Sequence, residues 1–326
     1  MRTSPLGSQG PHITALGFGA WAVGGAYKFG WGPTDDAESV AAIRHAIEAG
    51  VNWVDTAAVY GVGHSEEVVG RAVAPFNPGK DVFVFTKCGG FFKPEVGKVE
   101  YDLRPTSIRA ECDHSLERLG VDRIDLLQFH WPDNSTGTPI EESWSALADL
   151  VTAGKVRWIG VSNFDVERLE ACERIRHIDS LQPPLNLIKR TARRDVIPWA
   201  ADHGTGVIVY SPMASGLLTG KYDRAGLDRL ALDDWRRNSP TFQDPQLTRN
   251  FALVEALRGV AEQVGTSPGA LAIAWTLSVP GVTGAIVGAR TPEQVDGWLT
   301  APEVALTDDD LTAVETAVTT SGAGEG

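Results

Sequence analysis

Short apolar runs alternate along the chain with longer stretches in which apolar residues recur at helical spacing. The runs are LGFGA (16–20), VNWVD (51–55), VFVFT (82–86), IDLLQFH (124–130), VRWIGVS (156–162), DSLQPP (179–184), GVIVYS (206–211) and TGAIVG (283–288). Each has the length of a strand, and several are continuously apolar, as strands buried on both faces are. Helical patterns fall at 35–49, 65–74, 105–119, 139–153, 165–176, 192–203, a pair near 249–264 and 267–278, and 291–299. Local signals bound them. Pro105-Thr106 precedes SIRAECDHSLERLG, which closes on Gly120, and Thr138-Pro139 opens IEESWSALADLVTAG, closed by Gly154. Ser267-Pro268 and Thr291-Pro292 repeat the pattern of a capping residue followed by proline. Strand followed by helix, eight times over, predicts parallel β-α units. That number favours an α/β fold of the closed (β/α)8 TIM-barrel kind over an open sheet.

Three regions stand outside the alternation. Residues 1–15, with a turn signal at Gly7-Ser8-Gln9-Gly10, are expected to form a hairpin at the bottom of the barrel. Residues 212–248 are polar and far longer than the ~12–15 residues of a plain connection. Beyond the last unit, LTDDDLTAVETAV within 301–319 predicts an extra C-terminal helix, and TTSGAGEG predicts a disordered tail over 320–326. No repeat or linker divides the chain, so residues 1–326 read as one barrel domain. The letters GFGAWA at 17–22 match a dinucleotide fingerprint in form, but no helix opens there and Gly24, Gly25 and Gly30 continue a loop.

Composition narrows the classes. Hydrophobic residues make up 43% and charged residues 22%, ordinary globular usage. The formal net charge of −13 disfavours nucleic acid or an anionic membrane as a partner. Cys88, Cys112 and Cys172 are odd in number and widely spaced, which suggests neither disulfides nor a zinc site, and no metal is expected. His64, beside Ser65-Glu66-Glu67, reads as a structural residue or one on a pocket rim. With no apolar signal core at MRTSPLGSQGPHI and no run near the ~18 residues of a membrane span, a cytoplasmic protein is expected.

In such a barrel the active site is built where the strands end. The second run ends on Asp55 and leads to Tyr60, the third leads to Lys87, and the fourth ends on His130. The fifth ends on Ser162-Asn163, the sixth offers Gln182, and the seventh ends on Tyr210-Ser211. The first four form a chemical set. Reducing a carbonyl needs a hydride at carbon and a proton at oxygen. A tyrosine, with an ordinary pKa of about 10, is a weak acid for that task near neutral pH. A lysine cation would lower it, a carboxylate would keep a buried lysine charged, and a histidine would orient the substrate oxygen.

The segments NWVDTAAVYGVGHSEEVVGRA, VFTK, IDLLQFH, GKVRWIGVSNF, VIVYSPMASGLLTGKY and VGARTPEQV together resemble the aldo-keto reductase superfamily, over about residues 13–300. The resemblance implies a barrel that binds NADPH without a Rossmann domain and reduces a small-molecule carbonyl. Asp55, Tyr60, Lys87 and His130 would be the catalytic tetrad, with Tyr60 the proton donor. Ser162, Asn163 and Gln182 would hold the nicotinamide carboxamide, and Tyr210 would stack on its ring. Ser211, Met213, Ser215, Gly216 and Leu217 would line the pyrophosphate and sugar. Gly288, Arg290 and Gln294 would lie at the 2′-phosphate end, and Trp21 and Trp131 would border the substrate. Arg290 has a reason of its own: it follows the eighth strand, just before a helix whose N-terminal amides favour anions.

Three departures from the family pattern are expected to matter. Leu185 stands before Asn186 where many relatives carry tyrosine, which would reshape the pocket floor. Gly297 and Trp298 replace a Glu-Asn pair that contacts adenine in many relatives. Cys88, directly after the lysine, reads either as a redox-sensitive thiol or as a small packing residue. Two rival functions remain: a non-catalytic NADPH-binding regulatory subunit, and a lyase forming a Schiff base on Lys87. Trp21, Phe29, Trp31, Phe91, Phe92 and Trp131 suggest an aromatic rim suited to sugars, aryl aldehydes or natural-product ketones. The chain is expected to work as a monomer or small homo-oligomer.

Overall fold

Eight parallel strands close on themselves in the computed structural model, which describes residues 1–26, 30–93, 95, 97–230 and 234–324. A short antiparallel hairpin comes first, β1 (Thr3–Pro5) and β2 (His12–Thr14). The barrel then runs through β3 (Leu16–Gly19), β4 (Trp53–Asp55) and β5 (Phe83–Cys88). A second antiparallel hairpin, β6 (Gly90–Lys93) and β7 (Lys98–Tyr101), interrupts it. It resumes with β8 (Ile124–Phe129), β9 (Val156–Ser162), β10 (Ser180–Gln182), β11 (Gly206–Tyr210) and β12 (Gly284–Gly288), and β12 pairs with β3 to close the ring. The expected (β/α)8 barrel is therefore the fold. The sixth strand is shorter than its apolar run because Pro183 and Pro184 lack the N–H a ladder needs.

The helices follow the strands on the outside: α1 (Asp36–Glu48), α2 (His64–Val73), α3 (Pro105–Leu119), α4 (Ile140–Thr152), α5 (Val166–Glu173) and α6 (Val196–His203). The seventh connection holds a one-turn α7 (Arg224–Asp228), then α8 (Gln246–Val264) and α9 (Pro268–Ser278). The chain ends with α10 (Pro292–Leu299) and α11 (Asp308–Ser321). Their starts are made by the residues the sequence marks. Ser267 caps α9 through Ala270 N, and Thr307 and Asp310 cap α11 reciprocally. Ala20–Val23 is a short helical turn rather than a dinucleotide helix. The tail expected to be disordered over 320–326 is instead ordered through residue 324. Left-handed Gly322 turns the chain back so that Ala323 is buried in the core. The last two residues lie outside those described.

Inside the ring the core is separate from the one between strands and helices. Trp53, Phe85, Leu126, Ile208 and Ile286 fill the barrel, and Leu6 and Ile13 of the N-terminal segment seal its lower end. Gly7 packs against the backbone at Gly206, where β11 begins, so the segment plugs the end opposite the strand termini. The size of Trp53 is accommodated by Gly17, because a methyl group there would lie 2.3 Å from the indole. The indole N–H donates to Thr14 O at 2.9 Å, which fixes the ring. Gly17→Ala is expected to destabilise the fold by about 1–3 kcal/mol through overpacking. Gly259→Ala, on the exposed face of α8 with nothing within 4 Å, is expected to stabilise it by about 0.5–1 kcal/mol. Urea unfolding of the two variants checks the opposite signs.

Candidate active site

The parallel ring brings every strand end to one mouth, and a cleft of about 830 Å³ opens there. Asp55 ends β4, Lys87 is the penultimate residue of β5, and His130 directly follows β8. Tyr60 stands at the start of a tight turn in which Gly61 and Val62 are left-handed, at φ 59° and 57°. That turn packs so closely on the Gly24 carbonyl that a side chain at Gly61 would lie 1.9 Å from it. Asp55, Tyr60 and His130 line the cleft. Lys87 lies beneath them, 1% exposed, with Nζ 5.2 Å from the centre of the Tyr60 ring. The Tyr60 and His130 rings meet edge to face at 5.5 Å.

Lys87 Nζ donates to Asp55 Oδ1 at 2.5 Å and to Thr56 O at 2.9 Å. Gln182 Nε2 donates to the other carboxylate oxygen at 2.9 Å. Burial pushes Asp55 up and Lys87 down from their ordinary values, and the attraction between them opposes both shifts. Burial, with the Lys87 charge adding, holds His130 well below the usual imidazole range, so its ring is neutral at neutral pH. One expectation changes here. The sequence logic has Lys87 lowering the tyrosine, yet burial pushes Tyr60 well above its ordinary value, and Asp55 and Tyr101 add to the rise. Removing water from the phenol is the largest cause, so Tyr60 is held in its protonated form.

A second layer ties the strand ends together. Asn163 is left-handed at φ 62°, and its side-chain amide donates to His130 O at 3.0 Å and to Ser162 Oγ at 2.9 Å. Its carbonyl accepts the Tyr210 hydroxyl at 2.8 Å, and Ser162 Oγ donates to Gln182 O at 2.8 Å. Ser162, Asn163 and Gln182, read from the sequence as ligands, thus spend most of their hydrogen bonds on each other. What remains is acceptor capacity on Asn163 Oδ1, Gln182 Oε1 and Ser162 Oγ, and one N–H of Gln182 Nε2.

Beyond Tyr210 the cleft continues past Ser211, Met213, Ser215 and Gly216. Ser211, Ala214, Ser215 and Gly216 are all left-handed there, in tight turns where the Ala214 and Gly216 amides donate to Ser211 O and Met213 O at 2.9 and 3.1 Å. Leu217 does not join this wall. It is 1% exposed and packs into the core, because its apolar side chain turns inward once Gly216 reverses the chain. Ser267 and Gly269, at the N-terminus of α9, do line the cleft. Sequence reading took Ser267-Pro268 only as a helix start. The far end is walled by Gly288, Arg290, Gln294, Gly297 and Trp298. Arg290 has no carboxylate partner among the described residues, and its backbone N–H is held by Gln294 Oε1 at 2.9 Å. The Trp298 indole N–H is buried and lacks a partner among the described residues. A helix N-terminus, a guanidinium whose side-chain bond is a long one to Trp31 O at 3.4 Å, and a spare N–H along one groove fit a dinucleotide with its phosphates.

The near end is aromatic. Trp21 packs on Trp31 and Trp235 at 5.4 and 5.3 Å, and Trp131 packs on Tyr101 at 6.2 Å. Arg236, 6% exposed, is gripped by both oxygens of Asp234, donates to the Tyr222 hydroxyl at 2.6 Å and lies over Trp31. Neither Arg236, Tyr222 nor Trp235 was legible in the polar stretch 212–248, because no pattern there says which side chains fold back over the mouth. Phe91 and Phe92 stay out of the cleft wall, and Phe29 lies outside the described residues. Leu185 is fully buried in the core and does not floor the pocket. Cys88 is fully buried with its thiol pushed far up by burial, so it is a packing residue. His64 bonds Asp36 at 2.9 Å. Among the described residues no cluster of three or more His, Cys, Asp or Glu is placed to hold a metal, and no helix is long and apolar enough to cross a membrane.

The sequence profile of the Aldo/keto reductase family matches residues 15–319. An aldo-keto reductase of Bacillus subtilis, YhdN, is 35% identical over 309 residues, covering 91% of this chain and 89% of that one. An NADH-specific methylglyoxal reductase of Escherichia coli is 32% identical over 321 residues, covering 96% and 97%. The solved structure of a glycerol dehydrogenase from Gluconobacter oxydans superposes with a TM-score of 0.87 at 39% identity, covering 98% and 95%.

One buried acid behind the site is not needed for chemistry. Glu111 of α3, 5% exposed, accepts the Gly89 backbone N–H at 2.6 Å, two residues past Lys87. Burial pushes its carboxyl from 4.5 up to about 8, the Glu66 charge adding while the Gly89 bond and Arg118 oppose. The folded chain therefore keeps a proton that the unfolded chain releases. The stability this group contributes is full below about 4.5 and is lost as pH rises toward about 8, at up to about 1.4 kcal/mol per pH unit. Glu111→Gln is expected to flatten that part of the stability–pH curve, measured by denaturant titration from pH 5 to 8. A difference between variant and parent that does not grow with pH would refute it.

Proposed function

This chain belongs to the aldo/keto reductase family and is an oxidoreductase of carbonyl compounds; we propose that it reduces an aldehyde or ketone to the alcohol with NADPH, Tyr60 giving the proton. The observation that carries this reading is the set at the mouth. A protonated tyrosine stands over a buried lysine and edge-on to a neutral histidine, with Asp55 holding the lysine. Ser162, Asn163, Gln182 and Tyr210 would hold the nicotinamide end, Ser211, Met213, Ser215, Gly216, Ser267 and Gly269 the pyrophosphate and sugar, and Gly288, Arg290 and Gln294 the 2′-phosphate. When bound, the reduced nicotinamide supplies the hydride to the carbonyl carbon.

The chain's own residues do the rest. The neutral His130 ring donates a hydrogen bond to the carbonyl oxygen and aims it at the Tyr60 hydroxyl. As negative charge grows on that oxygen, the Tyr60 proton passes to it, giving the alcohol and a phenolate. Lys87 stabilises the phenolate after the transfer, and Asp55 keeps Lys87 charged in a site that disfavours the ammonium. Trp21 and Trp131 exclude water from one side of the substrate. A Schiff base on Lys87 is poorly supported, since Nζ is 1% exposed, bonded to Asp55 and Thr56, and absent from the cleft wall.

NADH is the second reading for the cofactor. A smaller cavity beside Arg290 is lined by Asp35 and Glu38, whose carboxylates suit a ribose hydroxyl better than a phosphate, and the Escherichia coli relative is named as NADH-specific. Arg290→Ala separates the two. It is expected to weaken NADPH about 10- to 100-fold, while NADH changes by no more than about twofold, in fluorescence titrations. Equal losses would remove the 2′-phosphate role. Tyr60→Phe is expected to bind NADPH like the parent and to lose about 10²–10⁴-fold in kcat, followed as NADPH oxidation over a panel of aldehydes, ketones and sugars. Parental turnover in that variant would sink the proton-donor assignment, and tight NADPH binding by the parent without turnover on any carbonyl would indicate a regulatory subunit.

A further inference from the structure

At the sealed end of the barrel, far from the cleft, a serine, a histidine and a glutamate from two distant segments meet. Ser8 sits in the turn between β1 and β2, Glu173 ends α5, and His177 lies in the connection from α5 to β10. Glu173 Oε1 is 2.9 Å from His177 Nδ1, and His177 Nε2 is 3.4 Å from Ser8 Oγ. A carboxylate only accepts, so in the neutral ring Nδ1 carries the proton and Nε2 is left to accept the serine hydroxyl. The second contact is at the loose end of the range for a nucleophile and its base before substrate arrives. The histidine and glutamate side chains are 16% and 22% exposed and are held from behind. Glu173 Oε2 accepts the Ile178 N–H at 2.8 Å, and Arg176 Nη1 donates to His177 O at 2.9 Å and to Asp179 Oδ2 at 2.8 Å. The turn is fixed as well. Ser8 N donates to Gly204 O at 2.7 Å, Gly10 N donates to Leu6 O at 3.1 Å, and Trp158 Nε1 donates to Gln9 O at 2.8 Å. Gly7 is left-handed at φ 66°, and a side chain there would lie 2.5 Å from Gly206 N. A side chain at Gly204 would lie 3.2 Å from Ser8 Oγ, so a glycine leaves the hydroxyl its place. The Gln9 N–H, next to the serine, donates to no protein acceptor among the described residues.

We propose that Ser8, His177 and Glu173 form a second active site, one that hydrolyses small carboxylic esters, with the Gln9 N–H as donor to the oxyanion. The contacts run nucleophile to base to orienting carboxylate, the order that activates a serine on unrelated folds. The amide of the residue after the nucleophile is a recurrent oxyanion donor. Ser8 Oγ bonds the ester carbonyl carbon while its proton passes to His177 Nε2. The bond from that carbon to the leaving oxygen then breaks, and the leaving oxygen takes the proton from His177. Water next attacks the acyl-serine, giving one proton to His177, and the carboxylic acid departs as Ser8 Oγ recovers that proton. Ester and water give acid and alcohol, no electrons are exchanged and no cofactor takes part. Ser8 is exposed, so the substrate comes from solvent. A short acyl chain on a good leaving group such as a phenol suits such a place, because it needs little binding surface. The site lies at the end of the barrel opposite Tyr60, and the two activities stand or fall separately.

The test treats the parent, Ser8→Ala and His177→Gln with a fluorophosphonate, which bonds an activated serine as fluoride leaves, and reads the label by intact mass and peptide mapping. Release of p-nitrophenol from p-nitrophenyl acetate is followed in parallel. The parent is expected to take one label, at Ser8. Ser8→Ala is expected to take none and to lose at least about tenfold of the ester turnover, and His177→Gln to be labelled about 10²-fold more slowly. Ser8 is exposed, so Ser8→Ala is expected to keep the parent's urea midpoint and its losses are read on folded protein. An unlabelled parent, a label at another residue, ester turnover that Ser8→Ala leaves in place, or labelling of His177→Gln at the parent's rate overturns the proposal.

Discussion

Lys87 and Asp55 form an ion pair that water hardly touches, 2.5 Å apart and 1% and 4% exposed at their side chains. Such a pair adds little to stability, because desolvating both charges cancels much of their attraction. What it secures is position. The lysine cannot leave Asp55 without becoming an unpaired buried charge, so Nζ stays beneath the Tyr60 ring. The pair in turn depends on the closed barrel: Asp55 and Lys87 come from neighbouring parallel strands, and Trp53 fills the interior just below them. Much of the site is built outward from this point, through Gln182 to Asp55 and through Thr56 to Lys87.

Electrostatics then divide the labour among groups that look similar on paper. Burial keeps Tyr60 protonated and His130 neutral, so one can give a proton and the other can orient an oxygen without adding a second cation beside Lys87. The Asn163 amide links His130, Ser162 and Tyr210 at the cost of a left-handed residue, which the surrounding hydrogen bonds hold in place. Local backbone strain and hydrogen-bond saturation thus go together, and both concentrate where the nicotinamide end of a cofactor would lie.

The loops carry what distinguishes this chain. The hairpin after β5 brings Tyr101 against Trp131 at the mouth, and the long connection after β11 brings Arg236, Tyr222 and Trp235 over Trp31 and Trp21. Each arrives at a mouth whose scaffold is indifferent to it, which is why one barrel can serve many carbonyl substrates. The N-terminal segment does the opposite work, sealing the barrel interior at the far end with Leu6 and Ile13.

The order of the eight barrel strands and their main helices, the hairpin at the barrel bottom and the strand-end places of Asp55, Lys87, His130, Ser162, Gln182 and Tyr210 were legible in the chain, whereas the β6–β7 hairpin and α7 were not. In a closed parallel barrel, position along the chain dictates position around the mouth, so periodicity and caps suffice. Tertiary structure alone decided the rest. It turned Leu217 and Leu185 into the core, ordered the tail through Ala323, and brought Ser267, Arg236 and Tyr101 to the cleft. It committed Asn163 and Gln182 to protein partners, and it reversed the direction expected for Tyr60. These outcomes depend on contacts between segments far apart in the chain and on how much water each group loses. Neither quantity is carried by a local pattern of residues.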